Sequence, residues 1–207
     1  MLLLRFARSR RPAGLTLAAC LTAVGCASVR LPAPEVREST RATLFYTARL
    51  SVSFSGPRGR VRATVLAAFA RPDSLRIELP GPGGARLVVV AAHGQLTAVF
   101  PGERAVFGGR STADDVEAAL GVALAPDEIM DMLVGFPGAR IADARVAWGD
   151  RFPRRVSGRL ADGTSLIVKM QAVETPAMLP AAAFAPPPHP GYRALDADET
   201  RDMWVRR

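Results

Sequence analysis

The chain has little of the chemistry on which many enzymes and metal proteins depend. Its 207 residues include two cysteines and two histidines, and 6% of them are aromatic. Cys20 and Cys26 both lie near the start, so no disulfide can staple the bulk of the chain. His93 and His189 stand far apart, outside the spacings of the common zinc sites. No apolar run reaches the roughly 20 residues that a membrane-spanning helix requires.

Lysine is almost absent as well, because Lys169 is the single lysine among 27 basic residues. The net charge is +8, and the four arginines before Cys26 account for half of it. The remaining arginines are scattered through predicted strands, without the basic patch and interleaved aromatics of nucleic-acid-binding domains. We therefore expect no nucleic-acid partner. We interpret these arginines mainly as a solvated outer face, where some can favour the phosphates of anionic lipid or lipopolysaccharide.

The first 26 residues have the order of an export signal. Arginines precede a short apolar run that ends in small residues, and no acidic residue occurs before Cys26. A cysteine directly after Gly25 is similar to bacterial lipoprotein signals, in which that cysteine becomes the first mature residue and carries acyl chains. Cys20 is a rival lipidation position, but it leaves only residues 14–19 as apolar core, so we prefer Cys26. Ala27 is not the aspartate that commonly retains lipoproteins in the inner membrane, which by this resemblance favours the outer membrane.

Most of the chain that follows alternates between apolar and polar residues. Residues 27 to about 40 contain Pro32 and Pro34 and predict an extended, mobile tether. Period-two alternation then predicts six short strands joined by tight turns, at 47–54, 60–70, 74–79, 85–92, 95–100 and 104–107. Strands resume at about 140–148, 154–160 and 165–173. From Pro176 the chain is rich in proline and alanine and predicts an extended surface segment, with one or two helical turns at 199–207.

Two short helices interrupt the strands. Ser111 or Thr112 can cap the first helix, and Gly121 suits its C-terminal exit. Pro126 and the two acidic residues after it fit the first turn of the second helix, which Gly135 ends. The free N–H groups of a helix start favour these carboxylates without any catalytic role, so we assign them none.

These elements predict one antiparallel sheet with two helices inserted in the sequence. A sheet of so many strands curls, which gives it a concave apolar face that the helices are well placed to cover. Such an arrangement can be a container for an apolar ligand, or the apolar face can be a filled core, and the pattern favours neither. No nucleophile, metal site or acid–base pair stands out, so we expect neither an enzyme nor a bound cofactor.

The helical segment carries a family resemblance. Asp114–Gly121, the step Ala123-Leu124-Ala125-Pro126 and the exit Met132–Gly138 resemble the LolB family in the order of short helix, Leu-Pro type step, second helix and Gly-Leu-Pro-Gly style exit. The segment Arg71–Leu79 and the strand after it are also similar. LolB proteins are outer-membrane lipoproteins that receive other lipoproteins from the periplasmic carrier LolA. The resemblance implies an unclosed, curled antiparallel β-barrel with a helical lid over an apolar cavity that holds acyl chains.

The resemblance and the alternation together give a candidate site. We expect the sheet and the helices to line an acyl-chain cavity with fifteen apolar side chains: Leu50, Val52, Phe54, Val61, Val65, Leu75, Ile77, Leu87, Val89, Leu96, Phe100, Val116, Leu120, Ile129 and Leu133. The expected domains are a signal at 1–25, the lipidated Cys26 and tether at 26–40, the half-barrel at 41–185 and a proline-rich tail at 186–207. The implied partners are acylated lipoproteins, a LolA-like carrier and the outer membrane, and we expect a monomer.

One loop departs from the family pattern. In LolB proteins the loop between the third and fourth strands carries an exposed leucine that helps insertion into the membrane. Here Pro82 stands roughly where that leucine is expected, in the segment Pro80-Gly81-Pro82-Gly83. We therefore mark these four residues as a candidate membrane or partner loop that lacks the inserting leucine of the family.

Overall fold

The structure is a computed structural model that describes residues 31–56 and 59–205. One ten-stranded sheet forms its centre, in the spatial order β10-β6-β5-β4-β3-β2-β1-β9-β8-β7. The sheet is open, because β10 and β7 are edges that do not pair with each other. The fold is therefore mainly β, an unclosed and curled sheet with a few short helices; the alternation predicted the curled sheet, and the family resemblance implied that it is unclosed.

The strands follow the predicted meander closely. Their bounds are β1 Phe45–Gly56, β2 Gly59–Ala70, β3 Ser74–Gly81, β4 Gly84–Ala92, β5 Gln95–Phe100, β6 Ala105–Arg110, β7 Ala142–Trp148, β8 Pro153–Arg159, β9 Ser165–Glu174 and β10 Arg193–Leu195. The helices are α1 Pro34–Arg41, α2 Ala113–Leu120, α3 Pro126–Leu133 and α4 Ala197–Val205, with one 3-10 turn at Ala181–Phe184. All pairings are antiparallel except that of β10 with β6, which is parallel.

The sheet has two distinct ends. The turns after β1, β3, β5 and β8 meet at one end, which we call the hairpin end, and the turns after β2, β4 and β7 meet at the other, which we call the entry end. The cross-strand register fixes this, since Gly56 pairs with Gly59 at the hairpin end and Phe45 pairs with Ala70 at the entry end. The chain reaches the sheet from α1 at the entry end.

The hydrophobic core lies on the concave face. Alternate residues of β1 to β6 and of β8 and β9 point to this face and pack with α2 and α3. A smaller cluster on the outer face joins Val88 and Val90 to Phe184, so the segment around the 3-10 turn covers part of that face. Period-two alternation therefore identified the buried face of β1, β2 and β3 correctly.

The segment expected to be a tether is partly helical. Residues 34–41 form α1 rather than an extended chain, with Pro34 in its first turn and Glu35 beside it, both favourable at a helix start. The Thr40 hydroxyl lies 2.9 Å from the Arg151 carbonyl oxygen. The Arg37 guanidinium lies 5.8 Å from the centre of the Phe136 ring. These contacts fix α1 against the entry end of the fold.

The C-terminal segment also differs from expectation. We expected residues 186–207 to be a proline-rich extended tail with a possible short helix; in the structure β10 extends the sheet beyond β6, and the helix, α4, packs against α2. Arg193 donates its backbone N–H to the Arg104 carbonyl oxygen at 2.9 Å. The domain thus continues past residue 185. A three-residue parallel strand has too few positions for periodicity to predict it.

Candidate functional site

An apolar cavity lies between the concave face and the two lid helices. Its volume is about 80 Å³, and the surrounding void is about 660 Å³ when the part open to solvent is counted. Its walls contain apolar side chains throughout, from Leu50, Val52, Phe54, Val61, Ala63, Val65, Ile77, Leu79, Leu120, Val122, Leu124, Ile129, Met132, Leu133, Leu166 and Val168.

The cavity opens toward the hairpin end. Deep in the wall, Leu50 and Leu124 are buried, with 2% and 1% of their surface exposed. Nearer the hairpins, Phe54 and Leu79 are half-buried, and Val61 is 40% exposed. Exposure therefore rises along β1, β2 and β3 toward their hairpin ends, which identifies the mouth of the cavity.

Local sequence signals position the lid. The Thr112 hydroxyl accepts a hydrogen bond from the Asp115 backbone N–H at 3.3 Å, and Gly121 ends α2 in the left-handed conformation with a φ of 74°. Pro126 begins α3, where the Glu128 carboxylate accepts a hydrogen bond from the Ala125 N–H at 2.9 Å. The predicted helix limits are thus close to those observed.

Two ion pairs hold α3 to its surroundings. The Arg71 guanidinium after β2 lies 2.6 Å from the Asp131 carboxylate, and the Arg140 guanidinium lies 3.2 Å from the Glu128 carboxylate. Both pairs are partly exposed to water, so each contributes modestly to stability. The lid is therefore held by a few polar contacts at its rim and by apolar contacts over the cavity.

The structure brings nine of the fifteen candidate residues to the cavity wall: Leu50, Val52, Phe54, Val61, Val65, Ile77, Leu120, Ile129 and Leu133. It places the other six in the packed core on the same face, away from this wall: Leu75, Leu87, Val89, Leu96, Phe100 and Val116. The difference arises because the concave face is wider than the cavity. Periodicity identifies the face of a strand but not where along that face space is left.

Sequence reasoning missed seven residues of the wall: Ala63, Leu79, Val122, Leu124, Met132, Leu166 and Val168. Ala63, Leu79, Leu166 and Val168 follow the same alternation as the predicted residues, so the signal was present for them. Val122 and Leu124 lie in the link between α2 and α3, where no period marks the buried side. Met132 lies beside Leu133 in α3, where a broad apolar stripe includes both.

The candidate loop lies beside the mouth. Pro80 and Gly81 end β3, while Pro82 and Gly83 form the turn to β4 at the hairpin end. Pro82 is exposed, and Gly83 has a φ of 81°, which a glycine adopts without strain. Cys26, the expected lipidation site, lies outside the described residues.

Titratable groups do not gather at the cavity. Within residues 31–56 and 59–205, no group of three or more His, Cys, Asp or Glu side chains is placed to hold a metal ion. His93 lies 3.3 Å from the Asp73 carboxylate in an exposed turn. Burial raises the pKa of the Tyr46 phenol, whose hydroxyl lies in the core at the entry end. A hydrogen bond from Arg159 lowers the pKa of Asp143 on the exposed rim of β7.

None of the helices in the described ranges combines the length and apolar character needed to cross a membrane.

Comparison with known proteins gives only distant likenesses. No protein-family model matches the chain, and no curated protein does. Among solved structures, the chain is similar to a LolA superfamily protein from Nitrosomonas europaea, with 10% identity and a TM-score of 0.46 over 76% of this chain and 99% of the other. It is also similar to a domain described as an outer membrane lipoprotein-sorting protein from Vibrio parahaemolyticus, with 8% identity and a TM-score of 0.45 over 72% and 94% of the two chains. A third, an uncharacterized conserved protein from Thermus thermophilus, has 11% identity and a TM-score of 0.44 over 78% and 96%. Likenesses this distant carry no argument about what the chain binds.

Proposed function

We propose that this protein is a LolB-like lipoprotein, anchored in the outer membrane through Cys26 and facing the periplasm, that holds an acyl chain of other lipoproteins and assists their localisation. The observation that carries the proposal is the cavity, whose wall is made of apolar side chains throughout and whose exposure rises toward the hairpin end, which suits an elongated apolar ligand. Each buried methylene gains about 0.8 kcal/mol, so the cavity would spare acyl chains from exposure to water.

The size of the cavity limits what enters. A methylene group takes roughly the space of a water molecule, about 30 Å³, so a void of 660 Å³ accommodates at most about 20 methylenes. Since that volume counts space open to solvent at the mouth, it is an upper limit, and we expect no more than one acyl chain to enter. Because part of this void is open to solvent, we expect the lid to move outward when a whole chain enters.

The decisive experiment is a transfer assay. A chain of residues 27–207 contains every described strand and helix, and it is mixed with a LolA-like carrier loaded with an acylated lipoprotein. We expect the lipoprotein to move to this chain, and its unacylated form not to move. If a folded chain neither accepts the lipoprotein nor binds free fatty acid, the result would instead favour a structural envelope lipoprotein whose apolar face is only a core.

A matched pair of variants tests the position of the mouth. Val61 and Leu66 lie on the same strand, each 40% exposed, but on opposite faces of the sheet. Val61→Glu places a charge at the mouth and is expected to weaken fatty-acid binding at least about tenfold, because part of an apolar contact is lost. Leu66→Glu is expected to leave binding unchanged. Equal effects of the two variants would contradict this placement of the ligand.

A further inference from the structure

The outer face of the sheet carries an unbalanced group of cations on β7, β8, β9, β1 and β2. In one cross-strand row Arg155 pairs with Lys169, which pairs with Ser51. In the next row Arg145, Ser157, Ile167, Ser53 and Arg62 follow one another across the five strands. Their neighbours Val156 and Val168 belong to the core, so alternation directs these residues to the face opposite the cavity. We call this surface the outer basic face, made of Arg60, Arg62, Arg145, Arg155, Arg159 and Lys169.

Little negative charge offsets these cations. Asp143 forms an ion pair with Arg159. In the described part of the chain, no carboxylate lies within ion-pair distance of Arg62, Arg145, Arg155 or Lys169. Arg155 and Lys169 stand directly opposite each other on adjacent strands, an arrangement that like charges make unfavourable. The fold therefore holds Arg155 and Lys169 next to each other on this face although their positive charges repel.

On the same face, toward the entry end of the central strands, acidic side chains accompany the basic ones. There Arg49 and Arg76 share a shallow groove with Glu78 and Glu174, and the Arg76 guanidinium lies 3.1 Å from the Glu78 carboxylate. Cations are thus balanced by acids in one part of the outer face and outnumber them in the other, where Asp143 lies beside Arg145 and pairs with Arg159. A general excess of arginine in the sequence does not explain this difference.

The spread of the cations indicates the kind of ligand. Adjacent strands lie about 4.8 Å apart, so the four spacings from Arg145 on β7 to Arg62 on β2 extend over about 19 Å. A single phosphate cannot contact so wide a surface, whereas a bilayer presents many phosphates at once. The partly exposed hydroxyls of Ser53 and Ser157 between the cations add hydrogen-bond donors for phosphate oxygens.

We propose that the outer basic face binds the phosphate groups of an anionic lipid bilayer. The proposal rests on the proposed function only in taking that bilayer to be the one in which Cys26 is anchored. Because the cavity is on the opposite face, a chain bound in this way turns its lid away from the lipid and toward an approaching carrier. Cation attraction to anionic lipid is electrostatic, so it weakens as salt screens it.

The test uses residues 27–207, which lack the lipidated cysteine, and sedimentation with vesicles. Vesicles of phosphatidylcholine containing 30% phosphatidylglycerol are compared with vesicles of phosphatidylcholine alone. We expect binding to the anionic vesicles, lost at high salt. The variant Arg155→Gln/Lys169→Gln is expected to weaken it about 25-fold, since each basic residue near such a surface contributes about fivefold. Arg104→Gln/Arg110→Gln, which removes the same charge from exposed positions around β6, is the matched control and is expected to change binding less than twofold.

Three results would overturn the proposal: equal losses from the two double variants, no preference for anionic vesicles, or full competition by millimolar inorganic phosphate. Fatty-acid binding, measured in the same variants, separates this proposal from the proposed function. A parent chain that binds fatty acid but not anionic vesicles refutes the outer basic face alone. Absence of fatty-acid binding with intact vesicle binding refutes the cavity alone.

Discussion

Ala63 offers the sharpest test of whether the cavity is a container or a core. It lies in the middle of β2, in the cavity wall, with its side chain partly exposed to the void. Replacing it with leucine adds three carbons at a point where the wall has room. If the void is open space, the added carbons fill it, and the folded protein gains stability while it loses room for a ligand.

The magnitude follows from the geometry. Three buried carbons contribute up to about 2.4 kcal/mol at 0.8 kcal/mol each. Since the mouth leaves this part of the wall partly open, we expect Ala63→Leu to raise the free energy of unfolding by about 1–2 kcal/mol. Fatty-acid binding should fall at least about tenfold, because the added side chain takes space that the ligand needs.

A matched control separates filling from overpacking. Ala98 faces the same concave surface from β5, is fully buried and does not line the cavity. Ala98→Leu should therefore strain the packed core and lower the free energy of unfolding by about 1–3 kcal/mol.

Urea denaturation measures stability, and titration with a fluorescent fatty acid measures binding, for the parent chain and both variants. If Ala63→Leu were as destabilising as Ala98→Leu, the wall would have no free space and the container interpretation would be refuted.

Three further substitutions test single features. Tyr46→Phe removes a buried hydroxyl that has no partner in the described chain, and should raise the free energy of unfolding by about 1 kcal/mol in urea titrations at neutral pH. Because burial raises the folded pKa of Tyr46, the unfolded chain loses the phenolic proton first, so parent stability should fall above pH 10 more steeply than that of the variant; parallel pH profiles would contradict this. Asp131→Asn breaks the ion pair with Arg71 and should speed fatty-acid release in stopped-flow while costing at most about 1 kcal/mol; an unchanged release rate would show that α3 does not gate the cavity. Gly135→Ala should destabilise by about 1–3 kcal/mol in thermal unfolding, since φ is 91° and the new methyl would meet the Trp148 ring; an unchanged midpoint would refute the conformational argument.

Much of the fold followed from local signals in the sequence. Apolar side chains every second residue placed β1, β2 and β3 and the buried face of each, because a half-buried strand requires that period. Thr112, Gly121 and Pro126 gave helix limits within a residue or so, since each satisfies a backbone requirement specific to a helix end. These signals are local, so a single sequence contains them.

Features that depend on contacts between distant parts of the chain could not be predicted from the sequence. β10 exists because β6 offers it a free edge, and nothing in Arg193-Ala194-Leu195 shows that edge. α1 carried usable signals in Pro34 and Glu35, but its position depends on Phe136 and on the turn after β7. The cavity is likewise a property of how far the lid stands from the sheet, so its wall was predicted only in part.

The opposite placement of α1 and the cavity mouth has a mechanical consequence. From Cys26 to Pro34 there are eight residue steps, which extend to at most about 28 Å. β1 alone has 12 residues, or about 40 Å of strand, between the entry end and the hairpin end. In the anchored form proposed above, the folded domain is therefore longer than the segment that joins it to the lipidated cysteine. If the domain pivots about Cys26, the cavity mouth at the hairpin end would move from the lipid surface to well above it, while Cys26 stays in the membrane.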